Sequence, residues 1–164
     1  MNGINSVEQI LQKLSHQLLE RGWKVAAAES CTGGWIAKLL TDLPGSTAWF
    51  ERGFVTYSNE AKVDMLGLSA ATLQQHGAVS EATVKEMVAG ALDHSHADLA
   101  VAVSGIAGPS GGSVDKPVGL VWFGWQRRDG RCHCESRQFE GGRDAVRAQT
   151  VWVALKGLSD FCET

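Results

Sequence analysis

No run of lysines or arginines appears in this chain of 164 residues, and its formal net charge is −3. The basic footprint that tracks a phosphate backbone is missing, so nucleic acid is not an expected partner. No apolar stretch approaches the ~20 residues a membrane-spanning helix needs. The longest, Ala97–Val103 and Val118–Trp125, are strand-length. The first residues, MNGINSVEQI, lack the basic-then-apolar order of a secretory signal, so a cytoplasmic protein with no membrane partner is expected. Cysteine is scarce: Cys31, Cys132, Cys134 and Cys162 are too few for a disulfide-stapled fold, and cytosolic disulfides are rare. Neither a Walker phosphate loop nor a GxGxxG dinucleotide fingerprint occurs. No histidine stands beside a strand-end motif, since His76 before Gly77 lacks a carboxylate partner. A Ser-His-Asp triad is therefore unsupported.

What is present is the composition of an ordinary globular protein, 44% hydrophobic and 20% charged. The length suits one domain over 1–164, with no visible repeat or linker. Val7, Ile10, Leu11, Leu14, Leu18 and Leu19 form one helical stripe that stops at Gly22. Lys24–Ala28 is a short apolar strand running into Glu29-Ser30-Cys31-Thr32-Gly33-Gly34. Thr32-Gly33-Gly34 is expected to open the next helix, which runs over Trp35–Leu43 to Pro44-Gly45. Ala48–Tyr57, rich in aromatic and β-branched residues, predicts a second strand. Three helices follow, over Glu60–Leu66, from Ser69 to about His76, and from Ser80 to about His94. Asp98–Ser104 reads as a buried strand. A glycine-rich loop runs from Gly105 to Pro117. Val118–Arg127 and Arg131–Phe139 flank Arg128-Asp129-Gly130, a hairpin signal, and Arg143–Leu158 is helical. This order predicts a three-layer α/β/α sandwich around a mixed, mainly parallel sheet of about five strands, ending in a hairpin and a helix. Ligands of open α/β sheets bind beyond the carboxyl ends of parallel strands. The polar segments after Ala28, Tyr57 and Ser104 all fall at that edge.

Ser30 sits where a buried strand gives way to a helix. Free N–H groups at Thr32-Gly33-Gly34 would suit an anion or the oxyanion of acyl transfer. Ser30 is then either a nucleophile or, with Thr32, a helix cap. The base for such a serine would be Lys62, because burial lowers a lysine pKa, with Tyr57 to orient it or relay a proton. The other reading of Lys62 is a solvated helix lysine. Cys31 is an alternative nucleophile. Ser104-Gly105-Ile106-Ala107-Gly108 is a second glycine-bearing strand exit able to wrap a phosphate or ribose, with Lys116 and Arg143 as candidate anion contacts. Cys132, His133 and Cys134 invite a metal reading. On a strand, however, the imidazole and the two sulfurs point to opposite faces, so no metal site is expected. His94 and His96 suit a helix C-terminus. The six tryptophans read as core or interface, with Trp35 the candidate for touching an aromatic ligand.

The segments AAAESCTGG, WFERGFVTYSNEAK, HGAVSE, VSGIAGPSGG and KPVG, in that order over nearly the whole chain, resemble the CinA C-terminal-domain family. The likeness is to its stand-alone members, the nicotinamide-nucleotide amidases. It implies an α/β/α sandwich that hydrolyses nicotinamide mononucleotide to nicotinate mononucleotide and ammonia, in salvage of pyridine nucleotide, without metal or organic cofactor. It also implies Ser30 as nucleophile, Lys62 and Tyr57 as its activating partners, and Ser104–Gly108 as the nucleotide-contacting loop. Two departures stand out. Many relatives carry threonine at the position of Ser104, and many read Gly-Asp-Arg where this chain has Gly141-Gly142-Arg143. The rivals to an amidase are a non-catalytic nucleotide sensor and an interaction module of the same fold. A homodimer is compatible with so small an enzyme.

Overall fold

A computed structural model describes residues 3–163; residues 1, 2 and 164 of the expected domain lie outside it. The elements are α1 (Gly3–Arg21), β1 (Val25–Glu29), α2 (Trp35–Thr41), a 3-10 turn (Ser46–Ala48), β2 (Phe50–Val55), α3 (Asn59–Leu66), α4 (Ala70–His76), α5 (Glu81–Asp93), β3 (Leu99–Gly105), β4 (Leu120–Arg127), β5 (Cys132–Gln138) and α6 (Arg143–Glu163). The five strands form one sheet in the order β2-β1-β3-β4-β5. β1 pairs in parallel with β2 and with β3. β3–β4 and β4–β5 are antiparallel. The mixed sheet between helical layers is the expected architecture.

Alternation along the central strands sorts side chains between two cores. Leu99, Val101 and Val103 of β3 and Val25 and Ala27 of β1 join Leu14, Leu18, Ile36, Leu155 and Leu158 of α1, α2 and α6. Ala100, Ala102, Ala26 and Ala28 face the opposite way, against Val84, Met87, Val88 and Ala91 of α5 and Leu66 of α3. The second face is lined by alanines, and there α5 lies close. A Cβ on Gly124 would sit 3.1 Å from the carbonyl of Val84, and one on Gly90 would sit 2.1 Å from that of Leu66. Burial on both faces explains why β1 and β3 show no polar alternation.

Several boundaries differ from expectation; α6, for one, runs on past Leu158 to Glu163. Helix α2 begins at Trp35, not at Thr32, because Gly33 and Gly34 adopt φ of +61° and +105°, outside the right-handed helical region. Strand β2 begins at Phe50, since Ser46–Ala48 closes into the 3-10 turn, and it ends at Val55, two residues short of Tyr57.

Candidate active site

Three parallel strands deliver Ser30 after β1, Thr56 and Tyr57 after β2, and Ser104 and Gly105 at the end of β3 to one edge of the sheet. The Ser30 N–H continues the ladder by donating to the Val103 carbonyl at 3.2 Å. The next residues turn sharply, and the Gly33 N–H returns to the Ser30 carbonyl at 3.1 Å.

Lys62 reaches this edge because α3 starts immediately after β2. Ser58 caps it, its hydroxyl accepting from the Ala61 N–H at 3.0 Å. Helical side chains lean toward the helix N-terminus, so Lys62 is directed back over the residues that precede α3. Its Nζ donates to the carbonyls of Thr56 at 2.8 Å and Tyr57 at 3.3 Å, and lies 3.0 Å from Ser30 Oγ. Lys62 is only 1% exposed and Ser30 8%. Burial pushes the Lys62 pKa below the ordinary lysine value. A neutral lysine has two N–H groups and one lone pair. Two carbonyls and one hydroxyl are the matching partners: two acceptors and one donor.

Glu29, which the sequence reading passed over, organises the turn from beneath. Fully buried, its carboxylate accepts from the Thr32 hydroxyl at 2.6 Å and from the N–H groups of Ile36 at 2.8 Å and Ala37 at 3.0 Å. The first-turn N–H groups of α2 are therefore occupied from inside the protein. The N–H groups of Cys31 and Thr32 make no hydrogen bond to another residue among those described. Arg147, also missed, holds the turn from α6 through the carbonyls of Cys31 and Thr32. The signal for Glu29 was a lone carboxylate ending an apolar strand. For Arg147 it was the i, i+4 spacing from Arg143, which places both on one helix face.

Ser30, Cys31, Tyr57, Lys62, Ala78, Val79, Ser104, Gly105, Ala107 and Arg143 line a cavity of 220 Å³. Its lining contains two basic side chains, Lys62 and Arg143, and no carboxylate. A larger space of 970 Å³ lies between α1, α2 and α6. Its walls are mostly apolar and bring no nucleophile together with a base, so the smaller cavity is the candidate site.

Several expected residues take other places. The Tyr57 side chain is 61% exposed, and its hydroxyl accepts from Arg143 Nη2 at 3.2 Å. Among its hydrogen bonds, only its backbone carbonyl meets Lys62. Arg143 Nη1 donates to the Gly108 carbonyl at 2.8 Å, tying α6 to the loop after β3. Ile106 and Gly108 do not line the cavity. Ile106 pairs through its backbone with Leu120 and Gly119, and a Cβ on Gly108 would lie 2.4 Å from Val118. Thr32, Gly33 and Gly34 also stand outside the lining. Lys116 donates to the His76 carbonyl, fastening the loop to the end of α4. Trp35 lies against the core with Arg147 above its ring at 5.7 Å. Burial drives the Cys31 thiol up to about 11. The His133 ring stacks on Trp125 at 6.0 Å. Among the described residues, no three His, Cys, Asp or Glu side chains are placed to share a metal.

The CinA C-terminal domain model matches residues 7–162. The chain is 54% identical over 156 residues to the nicotinamide-nucleotide amidohydrolase PncC of Enterobacter agglomerans, covering 94% of this chain and 95% of the relative. Against the protein of the same name from Escherichia coli the identity is 55% over 150 residues, covering 92% and 91%. Among solved structures, competence/damage inducible protein CihA from Agrobacterium tumefaciens superposes with a TM-score of 0.93 at 45% identity, covering 97% of this chain and 96% of that one.

Proposed function

The chain belongs to the CinA C-terminal domain family, and we propose that this amidohydrolase removes ammonia from the carboxamide of nicotinamide mononucleotide, with Ser30 as nucleophile and Lys62 as its base. The observation that carries the reading is Lys62 Nζ 3.0 Å from Ser30 Oγ, with its other partners two backbone carbonyls. That arrangement leaves a neutral Lys62 one direction for its lone pair, toward the serine proton. The names of the relatives from Enterobacter agglomerans and Escherichia coli supply the substrate.

The steps follow from these groups. Lys62 takes the Ser30 proton as Oγ bonds to the carboxamide carbon, and the carbonyl π pair moves to oxygen. The oxyanion is held by the N–H groups of Cys31 and Thr32, since those of Ile36 and Ala37 are committed to Glu29. Collapse breaks the C–N bond, and Lys62 passes its proton to the departing amine, giving ammonia and a nicotinoyl ester on Ser30. Water then attacks the ester, Lys62 accepts its proton and returns it to Oγ, and nicotinate mononucleotide leaves. The positive charge of Arg143 in the lining suits the phosphate. Arg143, at the mouth between Gly108 and Tyr57, is the residue that would hold it, with Ser104, Gly105 and Ala107 as the wall.

Ammonia release from nicotinamide mononucleotide, followed beside Ser30→Ala, tests the scheme. Loss of about 10⁴-fold or more in kcat for the variant, with the fold kept, is the expected result. Folded wild type that binds the nucleotide and yields no product would replace the amidase with a sensor. Full activity in Ser30→Ala would remove the serine from the chemistry.

A further inference from the structure

Arg147 lies outside the lining of the 220 Å³ cavity, yet its guanidinium is spent on the turn that carries the nucleophile. Its Nε donates to the Cys31 carbonyl at 3.1 Å and its Nη2 to the Thr32 carbonyl at 3.3 Å. In a planar trans peptide the C=O and the following N–H point in opposite directions. Drawing the Cys31 and Thr32 carbonyls toward α6 therefore turns the N–H groups of Thr32 and Gly33 away from α6. The Gly33 N–H is consumed by the Ser30 carbonyl. That of Thr32 has no acceptor among the described residues.

We propose that Arg147 is a positioning residue for acyl transfer, fixing the peptide between Cys31 and Thr32 so that the Thr32 N–H is aimed at the oxyanion formed beside Ser30. The inference rests on the serine amidase reading. The same contact strengthens the donor it aims. A cation on a peptide carbonyl draws electron density through the amide and makes the N–H on the other side more positive. The arginine is free to do this because its competing partner is weak: Asp144 is 3.9 Å from Nη1 and almost wholly exposed. The Trp35 ring beneath the guanidinium limits its alternatives. Lysine could not substitute, since spanning two adjacent carbonyls takes the planar fork of a guanidinium.

Steady-state kinetics on nicotinamide mononucleotide for wild type, Arg147→Met, Arg147→Lys and Arg147→Ala provide the test, with near-ultraviolet dichroism as the control for folding. The expected result for all three variants is a fall in kcat on the order of 10–100-fold with KM within about threefold, the pattern of a lost transition-state contact. Millimolar guanidinium should restore at least a tenth of wild-type kcat to Arg147→Ala, which a purely structural role would not allow. If Arg147→Met does not fold, the Lys and Ala variants carry the same comparison. Unchanged kcat, or a raised KM at unchanged kcat, in any folded variant of an active enzyme would overturn the inference alone. A wild type that releases no ammonia would overturn the amidase reading and this inference with it.

Discussion

Lys62 Nζ stands 3.0 Å from Ser30 Oγ inside a pocket that leaves the lysine 1% exposed. Burial disfavours the ammonium, so the Lys62 pKa lies below its ordinary 10.5. The proposed base is the neutral form, and its fraction grows with pH. kcat/KM should therefore rise with pH along a limb set by Lys62 and level off below 10.5. Lys62→Arg, which cannot deprotonate near neutral pH, should lose about 10³-fold or more and show no such limb. A pH–rate profile for each protein is the check.

The same shift has a stability consequence. Between the folded and unfolded pKa values of Lys62, the unfolded chain binds more protons, so stability should increase with pH across that window. Below the folded pKa the cost of burying a charge is present in full. Lys62→Met removes that cost, so its urea midpoint at neutral pH should equal or exceed that of wild type while its activity is lost.

Tyr57 meets Lys62 through its backbone carbonyl, and its hydroxyl faces Arg143. Tyr57→Phe keeps the carbonyl and should change kcat by less than about fivefold, with any effect falling on KM through Arg143. A proton relay through the phenol would instead cost kcat about 10²-fold or more.

Cys31 lines the cavity, but its thiol pKa of about 11 leaves little thiolate at neutral pH. Iodoacetamide at pH 7 should modify the exposed Cys132 first and leave activity intact. Cys31→Ala should stay within about threefold of wild-type kcat, measured by ammonia release.

Gly90 lies inside α5, where alanine would ordinarily add about 1 kcal/mol of helix stability. Here the added Cβ would fall 2.1 Å from the carbonyl of Leu66, the last residue of α3. Overpacking against backbone costs about 1–3 kcal/mol and sometimes more, so Gly90→Ala should lower Tm on balance. Because α3 carries Lys62, kcat should fall with it.

Much of this was legible in the sequence. The apolar runs of β1 and β3, the Asp129-Gly130 hairpin and the helical stripes were enough to order every element except the 3-10 turn at Ser46–Ala48 and to place Ser30, Tyr57, Lys62 and Ser104 at one edge. Ser30, Lys62 and Arg143 do share a cavity. What pattern does not carry is the direction of individual polar groups. Nothing in Thr32-Gly33-Gly34 says that two left-handed glycines delay the helix to Trp35, or that Glu29 occupies its first N–H groups. Lys116 reads as a free cation until the fold brings His76 beside it. The same limit hid Arg147, whose partners are carbonyls more than a hundred positions earlier.

The antiparallel return of β4 along β3 divides the molecule lengthwise. Val121 pairs with Gly105 at the cavity end, whereas Arg127 pairs with Leu99 at the far end, so the hairpin turn around Gly130 lies at the opposite pole from Ser30. A Cβ at Gly130 would meet nothing within 4 Å. A peptide tag or surface linker spliced into that turn would therefore hold the molecule by its back, with the mouth of the cavity open to solution.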